Sequence, residues 1–110
     1  MLTREQILGK TELAKEKVKI EQWGGEVYVR ELMGDERDTM EDDITKNSTK
    51  GLRAKLAVMC VVDAKGNQVF QKGDEAALAK GSAKPLDKVF ATVTRLSGLT
   101  KDAEEKAEKN

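Results

Sequence analysis

The spacing of apolar residues changes along this chain, and each change marks an element. Over residues 18–31 the period is two: Val18 and Ile20 precede Gly24-Gly25, and Val27 and Val29 follow it. This pattern predicts a β-hairpin. A two-residue Gly-Gly turn pairs Gln22 with Val27, Ile20 with Val29 and Val18 with Glu31, which puts the aliphatic residues on one face. A slip of one residue would set Val27 opposite Glu21 and scatter them. The cost of the chosen register is Lys19 facing Arg30, with only the diagonal Glu21 to offset the repulsion. The second face carries Tyr28 and Trp23, so it is not simply polar.

Elsewhere the pattern is helical. Thr3 and Gln6 form a capping box for a short helix that ends near Leu8 at Gly9, and residues 10–17 read as a polar connector with room for one more turn around Leu13. Gly34-Asp35-Glu36 starts a helix whose stripe, Met33, Met40 and Ile44, is broken by Arg37 and therefore needs a neighbour. Asn47-Ser48-Thr49 offers a cap for the next helix, which carries Leu52, Leu56, Met59 and Cys60 on one face and ends apolar all round, as a central helix would. Residues 61–70 predict a small second hairpin around Gly66. A short alanine-rich helix follows Gly73 and stops at Gly81. Ser82 then caps a helix with Pro85 in its first turn and the strongest stripe of the chain, Leu86, Val89, Phe90, Val93 and Leu96, closed by Gly98 with Leu99 folding back. The prediction is one α+β domain over residues 1–99, an N-terminal β-hairpin plus a small helical body, mostly helical overall, with its core around Leu56, Met59, Phe90 and Val93. Residues 100–110 hold nothing larger than alanine to bury, and helical ion pairs such as Asp102/Lys106 contribute only about 0.2–0.5 kcal/mol each. They are expected to form a flexible charged tail.

Composition narrows the function. Charged residues are 36% of the 110, but 20 basic and 20 acidic side chains cancel, which disfavours nucleic acid and anionic membranes as partners. No apolar run approaches the roughly 20 residues that span a bilayer, and the N-terminus lacks a signal-peptide pattern, so the chain is expected to stay where it is made. With no histidine, the commonest general base and zinc ligand are missing, and Ser/His and Cys/His nucleophiles with them. The single cysteine, Cys60, lies in an apolar run and reads as a buried structural thiol. Asp35, Asp38 and Asp42, with Glu41 and Asp43 beside them, could hold Mg²⁺ or Ca²⁺. Without the glycine-hinged loop of a calcium site, they read instead as a solvated helix face. No phosphate-binding glycine loop is present. The expectation is a non-enzymatic protein without cofactor or metal, occupied with protein contact.

The run Val27-Tyr28-Val29-Arg30-Glu31-Leu32-Met33-Gly34-Asp35-Glu36-Arg37-Asp38, led by Trp23-Gly24-Gly25, resembles the tail assembly chaperones of long-tailed, siphovirus-type bacteriophages. The likeness continues through residues 57–63, the Gly66 turn, Val69-Phe70 and the helix closing in Leu96-Ser97-Gly98-Leu99, and so covers nearly the whole chain. It implies a chaperone that binds the tape measure protein and keeps it soluble during tail tube assembly, in the host cytoplasm and absent from the mature virion. It also implies self-association and, for many members, a second form made by a programmed frameshift. A marginal two-stranded ribbon tends to be packed or extended by a neighbour, so the hairpin residues Val18, Ile20, Trp23, Val27, Tyr28 and Val29 are the candidate self-association surface. A structural tail or connector subunit, and a small regulator of a host protein, are the rival readings.

Overall fold

A computed structural model describes residues 1–99, and the predicted tail at 100–110 lies outside them. The period-two segment forms the hairpin, strands β1 (Lys15–Ile20) and β2 (Gly25–Arg30), but in a register different from the predicted one. Val18 pairs with Val27, Lys19 with Glu26 and Ile20 with Gly25. The turn is not Gly-Gly: Glu21–Trp23 make one 3₁₀ turn, and Gly24 reverses the chain with φ 74°. The longer loop lets Trp23 pack against the core and meet Phe70 edge-on at 5.8 Å between ring centroids. Val18's partner moves from Glu31 to Val27, an even number of places, so the aliphatic residues keep their common face. Lys19 now lies opposite Glu26, while Arg30 faces Lys15 instead and turns its guanidinium to Glu36.

The connector differs too. No turn forms around Leu13, because Ala14 continues the ladder: its carbonyl accepts from Glu31 N–H at 2.9 Å, and its own N–H reaches Glu31 Oε2. Strand β3 (Val61–Val62) adds to β2 through Tyr28–Val62 and Val29–Val61, giving an antiparallel sheet ordered β1-β2-β3. The expected second hairpin shrinks to one bridge, Val62 to Gln68. Its turn is held by Asp63, whose carboxylate accepts the Lys65 and Asn67 N–H groups, while Gly66 sits at φ 89°.

Five helices complete the described residues: α1 (Arg4–Leu8), α2 (Gly34–Asn47), α3 (Leu52–Cys60), α4 (Glu75–Ala79) and α5 (Ala83–Leu96). The capping box at Thr3 and Gln6 forms as expected, as does the Ser82 cap. The cap of α3 does not: left-handed Gly51 takes that position, and Ser48 adopts φ 58° in the preceding turn. α5 lies across the hairpin and against α3. The core gathers Ile20 and Val29 from the sheet, Leu56 and Cys60 from α3, Val61, and Val89 and Val93 from α5, all fully buried. Met59 and Phe90, expected at its centre, are half-buried at its margin, with the Arg53 guanidinium stacked 5.0 Å from the Phe90 centroid. Leu99 folds back onto this cluster after Gly98 at φ 75°. The fold is α+β and mostly helical.

Candidate functional site

The two faces of the hairpin have different fates. On the first, Val18, Ile20 and Val29 are buried within their own chain. Val27 and Trp23 are half-buried and pack against the same cluster. Polar ties from α5 hold the lid on: the Lys88 ammonium donates to the Lys19 carbonyl, and Arg95 pairs with Glu16. Further along, Leu32 N–H donates to Ser97 Oγ at 3.0 Å. Of the six candidate self-association residues, three are therefore spent on the core and three, Trp23, Val27 and Tyr28, keep part of their surface.

The second face carries Tyr28 and Arg30 from β2, Val62 from β3 and three lysines from β1. The Lys15 and Lys17 ammonium groups lie 5.1 and 5.8 Å from the Tyr28 ring centroid, close enough for cation–π attraction. Lys15 also donates to the Ala64 carbonyl. This charged strand is the outer edge of the sheet, and lysines on an edge oppose open-ended strand addition.

At the end of β2 stands the most deeply buried ion pair of the described residues. Arg30 donates from Nη1 and Nη2 to the two Glu36 oxygens at 2.7 and 2.8 Å, and Glu36 Oε1 also accepts the Met33 N–H at 2.9 Å. Only 8% and 13% of the two side chains remain exposed. Burial alone would raise the Glu36 pKa, but the Arg30 and Met33 hydrogen bonds outweigh it and hold the carboxyl below the usual carboxylate range. The hydrogen bonds it donates to Glu36, against the opposing effect of burial, raise the Arg30 pKa. Sequence reading placed Glu36 in the first turn of a helix and missed its partner. The available signal was a basic residue at the end of a strand, six places before an acid at the third helical position.

Three further acids of α2 are tied individually. Asp42 meets Lys46 at 3.0 Å, Asp43 meets Lys55 at 2.8 Å, and Glu41 lies 3.8 Å from Arg37. The Lys55 and Asn47 hydrogen bonds lower the Asp43 pKa. Among the described residues no three acidic or cysteine side chains converge on a metal-sized space. Cys60 is fully buried, and burial pushes its thiol up to about 12, far from a reactive thiolate.

Beside the second face lies an open groove of about 580 Å³, walled by the connector at Leu13, by Lys15, Arg30 and Val62 of the sheet, by Met33 and by Gln68. Val62 is buried at its floor, whereas Met33 is 42% exposed. A second, smaller groove of about 360 Å³ runs between α2 and α3 over Met40, Leu52 and Met59.

No protein-family model matches the chain, and no curated protein sequence matches it significantly. A solved structure does: that of the bacteriophage HK97 tail assembly chaperone superposes with a TM-score of 0.64, covering 84% of this chain and 90% of the other at 16% sequence identity. The chain therefore has the fold of a phage tail assembly chaperone, as the residues around Val27 to Asp38 imply.

Proposed function

We propose that this protein is a phage tail assembly chaperone, binding the tape measure protein and keeping it soluble while the tail tube assembles. The observation that carries the reading is the shared fold over most of both chains, which coincides with the independent motif resemblance. Two physical features support it: Glu36, Asp42 and Asp43 are each tied to a separate cation rather than gathered in a cleft, and two open grooves, one beside the outer sheet face and one between α2 and α3, offer surface for contact. On this reading the protein works by contact alone in the host cytoplasm, is left out of the mature virion, and acts as a homo-oligomer. Any frameshifted long form would add its extra sequence beyond the closed core.

Co-expression with a candidate tape measure protein is the direct test. The soluble fraction of the tape measure protein should rise severalfold, and a tape measure protein that stays insoluble would overturn the proposal. With zero net formal charge to steer binding, affinity should survive a change from low to high salt. Recovery of the chain in purified virions would instead favour the structural tail or connector subunit.

A further inference from the structure

The three longer helices are held by different means. α3 buries six of its nine residues and α5 five of its fourteen, but α2 buries one of fourteen, Met40. Ile44, one turn on, is half-buried at the margin of the core, and no apolar residue follows it in the helix. Between α2 and α3 runs the groove of about 360 Å³, lined by Met40, Leu52 and Met59. Packed interiors leave few spaces of that size between elements, so the two helices adhere weakly.

The polar ties of α2 are unevenly placed along it. Its first turn is anchored to the sheet by Arg30 on Glu36. Past Glu36, the one polar contact with another element among the described residues is Lys55 Nζ donating to Asp43 Oδ2 at 2.8 Å. The contacts of Glu41 with Arg37, Asp42 with Lys46 and Asn47 with Asp43 stay inside the helix and do not hold it to the body. Lys55 keeps 43% of its side chain exposed, so water competes for that single tie.

The link to α3 acts in the opposite direction. Ser48 has φ 58° and ψ −142°, and it is the only residue other than glycine with positive φ among those described. That region is open to glycine but costly for a residue with a side chain, and it persists only where the surroundings impose it. Ser48 is the residue on which α2 ends, three places before left-handed Gly51 at the start of α3, so the closed position of α2 is what imposes it.

We propose that α2 is a hinged flap. Its first turn stays fixed on Arg30 while residues 40–47 lift off α3, breaking the Lys55–Asp43 contact and relaxing Ser48. Lifting uncovers Met40, Ile44, Leu52 and Met59, an apolar surface whose methionines adapt to varied shapes. So short a segment cannot remain helical in water once detached, so opening also melts this part of α2. The flap does not depend on the chaperone reading, and failure of either leaves the other standing.

Hydrogen exchange of the full chain at pH 7, read by mass spectrometry, is the test. Amides of residues 40–47 should exchange at least about tenfold faster than those of α3, at a rate that low denaturant leaves unchanged, as local opening requires. Lys55→Ala should speed them severalfold and Ser48→Gly should slow them severalfold, with α3 unaffected by either. Oxidation of Met40 by dilute peroxide, measured against that of exposed Met33, should follow the same order. Exchange of residues 40–47 at the rate of α3 would show that α2 leaves only with the whole fold, which overturns the flap. Fast exchange that neither variant alters would reduce it to fraying of a helix end. Met40 equally protected in Lys55→Ala and wild type would show that the groove is never uncovered, and would overturn it as well.

Discussion

The pairing of Arg30 with Glu36 decides how the sheet hands over to α2. Two charges this deeply buried stabilise little on balance, because desolvation offsets most of their attraction, yet leaving one without the other is costly. Glu36→Gln should therefore destabilise by about 3–5 kcal/mol, while Arg30→Met with Glu36→Leu should recover most of the loss. The pH dependence has a definite sign. With its pKa below the unfolded value of 4.5, Glu36 contributes stability that is complete above that pH and is lost as pH falls through the folded value. Urea midpoints measured from pH 7 to pH 3 should fall more steeply below about 4.5 for wild type than for Glu36→Gln. Equal slopes would show that the pair does not set the acid sensitivity.

Among the elements, the hairpin shows what a sequence discloses and what it conceals. The alternation of Val18, Ile20, Val27 and Val29 was enough to fix which side chains share a face, because facing depends only on parity along a strand. Register depends on the loop, and the loop was misread because Gly24-Gly25 imitates a two-residue turn while Trp23 draws the chain into a longer one. The stripe of α5 and both of its caps were legible for the opposite reason, being local. The extended arm at Val61-Val62 was legible too, but not its pairing with β2, since its partners lie more than thirty places earlier. Sequence located the hairpin that carries the six candidate residues but could not tell that α5 covers one of its faces. Glycine substitution separates the two turns. A two-residue type I′ turn needs positive φ at both glycines, whereas here only Gly24 of the pair has it. Gly24→Ala should cost roughly 1–2 kcal/mol and Gly25→Ala well under that, measured by denaturant midpoint. Equal losses would restore the Gly-Gly turn.

At the scale of the whole molecule, the core closes through partners far apart in the chain. β1 and α5 meet through Lys19 with Lys88 and Glu16 with Arg95, and the start of α2 is tied to the end of α5 through Leu32 and Ser97. Removing residues 101–110 takes away none of these contacts, so the truncated protein should keep its melting temperature to within a degree or two. Removing α5 from Ala83 onward strips Val89 and Val93 from the core and should abolish cooperative unfolding. A truncation at 82 that still melts sharply would show that sheet and α3 suffice alone. The same arrangement sets a timetable on the ribosome. The hairpin is synthesised early, and at roughly 5–20 residues per second its aliphatic face waits several seconds for α5 to emerge. A premature stop within that interval would release a chain whose hairpin keeps a bare aliphatic face, because Val89 and Val93, which cover it, are never made.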